Sequence, residues 1–97
     1  MKDNRIISPN KLYKTIKNLK TEEEVKIFFE DLCSIKEIQD MVHRFDTALA
    51  LDEGKNYISI ASDLGVSTAT ISRVNRCLEY GSGGYRMAID RLKGEKK

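Results

Sequence analysis

The segment from Tyr57 to Arg76, YISIASDLGVSTATISRVNR, fits one backbone arrangement and few others. Two short helices that cross at about 90–120° over a turn of three to four residues impose several steric conditions at once. Ile60 and Leu64, one helical turn apart, face inward from the first helix. Ala61 is small where the second helix crosses close above it, and Val66 is apolar where it must plug the corner. Gly65 ends the first helix in the left-handed conformation, which a glycine adopts at little cost. Ile71 and Val74, three residues apart, form the inward face of the second helix. Each of these positions carries a residue of the required kind, so the sequence predicts a tight helical corner over residues 57–76.

Helical periodicity also runs through the remainder of the chain, with no period-2 segment. Ser8-Pro9 reads as an N-cap with proline at the first helical position, ahead of Leu12, Ile16 and Leu19 on one side. Thr21 to Glu24 is a capping box before Val25, Phe28, Phe29 and Leu32. A second box, Ser34 to Glu37, opens the longest helix, whose apolar positions are Ile35, Ile38, Met41, Val42, Phe45, Ala48 and Leu49; Gly54 ends it. Gly81-Ser82-Gly83-Gly84 separates the corner from a last amphipathic helix over 84–93, carrying Tyr85, Ala88, Ile89 and Leu92, and residues 93–97 are expected to fray. The expected fold class is all-α, about six helices in a single domain of 97 residues. A continuous helix of about twenty residues spans about 30 Å, long for a globule of this size. Its apolar stripe, with Phe28 and Phe29, asks for more partners than one chain supplies. Residues 8–53 are therefore expected to join two copies of the chain.

Several function classes lose support at this stage. The longest apolar run, Ala48-Leu49-Ala50-Leu51, is too short for a membrane span, and no apolar stretch of signal-peptide length follows the first residues. Cys33 and Cys77 form neither a metal-ligand spacing nor a disulfide framework, which points to reduced thiols in a cytoplasmic protein. His43, the single histidine, makes no metal set with Cys33. Glu22, Glu23 and Glu24 suit the first turn of a helix, where the macrodipole favours negative charge. Asp40, Asp46, Asp52 and Glu53 read as solvated, and Tyr57, Tyr80 and Tyr85 as anchors of helix ends. No serine has a base and an orienting group nearby, and the glycine-rich segment lacks the strand and lysine of a phosphate loop. The expectation is a protein that is not an enzyme and holds no metal or cofactor.

Charge is distributed unevenly about a net value of +2. Residues 1–20 carry six basic groups against one acid, residues 21–53 carry ten acids against three bases, and residues 54–97 carry eight bases against four acids. Basic ends around an acidic middle suit contact with a polyanion. The 57–76 segment resembles the DNA-binding helix-turn-helix. In that motif the first turn of the second helix enters the major groove of double-stranded DNA, where small hydroxyl residues approach closely and donate or accept. The outward residues there are Ser67, Thr68, Ala69, Thr70, Ser72, Arg73 and Arg76, and no acidic residue lies among them. Ser67 doubles as N-cap, while Ala69 or the Thr68 methyl could meet a thymine methyl. Thr70, Arg73 and Arg76 are placed to hold phosphates. A competing expectation is a protein-interaction module that reuses the same fold.

Around that motif the chain is similar to the Trp repressor superfamily, in its small Trp-repressor-related branch of YerC/YecD type. The likeness rests on Ala-Leu-Asp-Glu-Gly at 50–54, Leu-Gly-Val-Ser-Thr-Ala-Thr-Ile-Ser-Arg at 64–73 and Gly-Ser-Gly-Gly-Tyr at 81–85, and extends over about residues 8–92. It implies an intertwined all-helical homodimer with one reading head per subunit, and a transcriptional regulator, expected to be a repressor. Repressors of this family bind tryptophan between two arginines, and the matching positions here are Arg44 and Arg73. The family has glycine immediately after the second arginine, where the indole packs; this chain has Val74. Overpacking of that kind typically costs about 1–3 kcal/mol, so Val74, where the chain departs from the family's pattern, argues against tryptophan, and a regulator that works without it is expected. A different small-molecule corepressor stays open.

Overall fold

The protein is described by a computed structural model over residues 7–95, in which all regular structure is helical. The helices are α1 (Asn10–Lys17), α2 (Glu22–Leu32), α3 (Ile35–Asp52), α4 (Tyr57–Leu64), α5 (Thr68–Tyr80) and α6 (Gly84–Glu95). They fall into two compact units, one ending at Ile35 and one beginning at Lys36. The terminal basic residues Lys2, Arg5, Lys96 and Lys97 lie outside the described residues.

In the first unit, local capping sets the helix starts. α1 begins one residue later than the Ser8-Pro9 pattern predicts: Pro9 is the capping residue, its carbonyl accepting from the Tyr13 N–H, and the Asn10 N–H donates to Ser8 Oγ at 3.3 Å. At α2 the Glu24 N–H donates to Thr21 Oγ1 at 3.1 Å, as the capping box requires. The Glu24 carboxylate reaches one residue further back than expected, accepting from the Lys20 N–H at 2.7 Å. Phe28 and Phe29 sit edge to face with ring centres 6.1 Å apart. Even so, neither helix contains a buried residue, and Tyr13, Ile27 and Leu32 are exposed. Leu19, Glu24, Ile27, Phe28 and Asp31 line a shallow groove.

The second unit holds the core. Ala48, Val74 and Ile89 are fully buried where α3, α5 and α6 meet, with Phe45, Leu49, Leu51, Leu78 and Tyr85 packed around them. Ala50, Ile60 and Ile71 form the corresponding centre for α3, α4 and α5, flanked by Leu51, Tyr57, Ala61, Leu64 and Val66. Leu51 touches both centres, so α3 is the spine against which the helical corner and α6 are built. Gly54 closes α3 with φ 86°: its N–H donates to Leu51 O and the next N–H, of Lys55, to Ala50 O, the two bonds of a Schellman ending. α6 continues past the expected stop at residue 93 to Glu95. Its last turn is tied down because Lys93 Nζ donates to Asp52 Oδ2, while Arg86 Nη1 donates to Asp52 Oδ1. Asp52 is thus a clamp between α3 and α6 and not the solvated carboxylate that the sequence suggests; its side chain is 14% exposed. Ala88, expected in the apolar stripe of α6, is exposed, and Tyr80, expected to anchor the end of α5, is 81% exposed. Among the described residues, no helix is long and apolar enough to cross a membrane.

Candidate nucleic-acid interface

The corner between α4 and α5 is set by backbone geometry at two residues. Gly65 takes φ 67° and ψ 32°, and its N–H donates to Ala61 O at 3.0 Å, ending α4 in the left-handed conformation. Ser67 then caps α5: its Oγ accepts from the Thr70 N–H and donates to Thr70 Oγ1, both at 3.1 Å. At the other end of α4, Asn56 Oδ1 accepts from the Ser59 N–H at 2.8 Å. Ile60, Ile71 and Val74 point into the core, fixing which face of α5 is left outward. That face carries the residues expected from the sequence. Ser67, Thr68, Ala69, Ser72, Arg73 and Arg76 are exposed, and Thr70 is half-buried beneath the Ser67 hydroxyl.

The structure divides these residues between two hollows. Ala69, Ser72, Arg73 and Arg76 line a shallow groove along the outer side of α5. Ser67, Thr70 and Arg73 line a second cleft of about 350 Å³ together with Asp40, His43 and Arg44 of α3, Gly65 and Val66 of the turn, and Val74. Thr68 belongs to neither lining. Arg44 and Arg73, paired by the family resemblance, do share a cleft. Among the described residues, Arg44, Arg73 and Arg76 make no ion pair, whereas Arg86 is committed to Asp52 and Asp90.

Val74 decides how the cleft relates to an indole ligand. Its side chain is 1% exposed and packs against Ala48 and Ile89, so it belongs to the core and also closes one wall of the cleft. Ligand sites for flat aromatic groups are lined mainly by apolar side chains with a few polar groups to orient them. Here Val66 and Val74 are the only two apolar side chains among the nine lining residues.

Two features of this unit escape a reading of the sequence. Thr47 is fully buried in α3, its hydroxyl donating to the His43 carbonyl at 2.6 Å, one turn below the cleft. The Asp52 clamp is the other. Arg86 and Lys93 hydrogen-bond the Asp52 carboxylate and hold its pKa below the ordinary aspartate value, and the same contact raises that of Arg86. The seven-residue spacing of Arg86 and Lys93, two helical turns, was the available signal, but nothing in the sequence names their partner.

Residues 8–93 match the family described as Trp repressor protein. The chain is 50% identical over 84 residues to the uncharacterized protein YerC of Bacillus subtilis strain 168, covering 87% of this chain and 81% of that one. It is similar to a TrpR-like protein from Eubacterium eligens ATCC 27750, with a TM-score of 0.83 and 46% identity over 87% of each chain. It is also similar to a candidate Trp repressor from Staphylococcus aureus, with a TM-score of 0.82 and 40% identity over 87% of this chain and 84% of that one. These are likenesses to a family of DNA-binding regulators.

Proposed function

The chain belongs to the Trp repressor family, and from that premise we propose that it is a sequence-specific regulator of transcription that binds double-stranded DNA as a homodimer and without tryptophan. The observation that carries the proposal is the outward face of α5. Ser67, Thr68, Ala69, Thr70, Ser72, Arg73 and Arg76 follow one another with no acid between them, and the two arginines are unpaired among the described residues. Hydroxyl and methyl groups in the first turn read base edges, while Arg73 and Arg76 hold phosphates at the groove edge. The protein is a cytoplasmic regulator, acts as a repressor, and is not an enzyme. Its 97 residues work as one domain, with 8–53 for dimerisation, 57–76 for DNA and 84–93 as a buttress.

Dimerisation is supported by the uncovered apolar surface of α1 and α2. A groove lined by Leu19, Ile27 and Phe28, and the exposed side chains of Tyr13 on α1 and Leu32 on α2, are the kind of surface a second copy covers. Independence from tryptophan is supported by Val74: a core valine holds α5 against α3 and α6 by packing, where a ligand would otherwise be needed to fix the reading head.

The test is fluorescence anisotropy of a labelled random duplex, titrated with protein at several salt concentrations and without tryptophan. Neutralisation of several phosphates makes affinity fall steeply with salt, the logarithmic slope being about −0.9 per phosphate contact. Absence of binding at low salt, or binding indifferent to salt, contradicts the proposal and favours a protein-interaction module.

A further inference from the structure

Arg86 and Lys93 of α6 hold the two oxygens of one carboxylate, that of Asp52 at the end of α3. They stand seven residues apart, so their positions on α6 are separated by about 10 Å of helix axis at about 1.5 Å per residue. Ile89 lies between them in the chain, fully buried against Val74 of α5 and Ala48 of α3. Tyr85, in the first turn of α6, stacks on Phe45 of α3 with ring centres 6.4 Å apart and planes 24° from parallel. The long helix therefore holds α6 near both of its ends. Between α5 and α6 the chain runs Gly81-Ser82-Gly83, with Gly83 at φ 92°. A linker of that composition constrains the angle between its two helices only weakly. That angle is set instead by how α6 sits on α3. Val74, against which Ile89 packs, shares a turn of α5 with the outward Arg73 and Arg76. The seat of α6 thus reaches the DNA-facing side of α5 through one core contact.

We propose that Asp52, gripped by Arg86 and Lys93, is a positioning residue for DNA recognition: the clamp seats α6 as a strut that holds the outward face of α5 at a fixed angle to α3. The inference rests on the DNA-binding reading for its consequence, whereas the strut is a property of the unit from Lys36 onward. Hydrogen bonds to base edges weaken steeply outside a narrow range of distance and angle. Phosphate contacts carry no sequence information, and long arginine side chains follow a phosphate through small shifts of the backbone. Loss of the clamp therefore costs the base-edge contacts of Thr68 and Ser72 before it costs the hold of Arg73 and Arg76 on phosphates. Discrimination between sequences falls, while general affinity for duplex persists.

The experiment uses the full chain with Asp52→Asn, Arg86→Gln and the double variant of the two, at a temperature where melting curves show each folded. Lys93→Gln leaves one arm of the clamp in place and carries the test if Asp52→Asn does not fold. Arg91→Gln removes an exposed cation of α6 that makes no ion pair among the described residues, and serves as the charge control. Residual dipolar couplings of backbone N–H groups report the orientation of α5 relative to α3. Affinity for the duplex that the parent enriches from a random pool, divided by affinity for a random duplex, reports discrimination. Asp52→Asn removes a negative charge and Arg86→Gln a positive one, so charge alone moves duplex affinity in opposite directions. Positioning lowers the ratio in both. The expected result is a turned α5 and a ratio lower by about threefold or more in each clamp variant. The double variant should lose about as much as the worse single one, because both remove the same contact, and Arg91→Gln should match the parent. An α5 that keeps the parental orientation in Asp52→Asn and Arg86→Gln overturns the strut. A turned α5 with a parental ratio overturns its part in recognition, as do ratios that move in opposite directions in the two variants. An α5 that turns in the clamp variants of a protein whose parent binds no duplex establishes the strut while contradicting the DNA-binding function itself.

Discussion

Val74→Ala separates a core valine from a ligand wall. The substitution removes two methyl groups from a side chain that is 1% exposed and sits between Ala48 and Ile89. Transfer of those groups out of the core costs about 0.8 kcal/mol each. The cavity they leave, about 50 Å³ before relaxation, adds about 1 kcal/mol at about 24 cal/mol per Å³. Alanine is a better helix former than valine by about 0.6 kcal/mol, which offsets part of the loss. The net expectation is a loss of about 2 kcal/mol, or a fall in melting temperature of about 8–16 °C for a domain of this size. Urea denaturation followed by circular dichroism, at one fixed protein concentration, reads the change; the midpoint should fall by about 1 M with an unaltered slope. Tryptophan added to the variant should restore none of it. A midpoint within experimental error of the parent refutes the packing argument, because Val74 then contributes nothing as a core residue. A midpoint raised by added tryptophan, in the parent or in the variant, refutes the reading of the cleft.

Arg76→Ala should weaken binding to all duplexes alike, whereas substitution of Thr68 or Ser72 should change the preferred sequence, as competition among selected duplexes would report. Ile27→Lys places a charge in the groove of the first unit and should weaken self-association about tenfold or more, a loss of about 1.4 kcal/mol or greater, visible by sedimentation. Asp52 has a depressed pKa in the folded protein, held down by Arg86 and Lys93. Its contribution to stability is therefore present above the ordinary aspartate value of about 4 and is lost as the pH falls through the depressed value. Asp52→Asn should accordingly lower the melting temperature near neutral pH, with the difference from the parent shrinking in acid. Calorimetry of the parent with tryptophan should show no heat of binding.

The helical corner was readable because its constraints are local. Gly65, Val66, Ile71 and Val74 each answer a demand made within a few residues of chain, and the observed φ of Gly65 and burial of Ile71 and Val74 follow from those demands. The outward face of α5 was readable for the same reason, as the complement of its inward face. What could not be read depends on contacts distant in sequence. Asp52 looks like any surface aspartate until α6 brings Arg86 and Lys93 against it, thirty-four and forty-one residues later. That contact also explains why α6 holds its helix through Gly94, where composition suggests fraying. The start of α1 slipped by one residue because Ser8 bonds the amide of Asn10 without serving as the capping residue, a choice among nearly equal local alternatives. Arg44 and Arg73 were each visible, but that Asp40 and His43 share their cleft, with few apolar walls, depends on how α5 crosses α3.

If the face from Ser67 to Arg76 reads DNA without a ligand, the tryptophan-free protein selects its own site from a random pool of duplexes, which sequencing of the bound fraction reveals. The expected result is enrichment of a roughly two-fold symmetric site whose half-sites lie about 34–36 Å apart, as two equivalent heads in successive major grooves require, with a changed half-site when Thr68 or Ser72 is substituted. A pool that emerges unenriched, or enriches only when tryptophan is supplied, contradicts it.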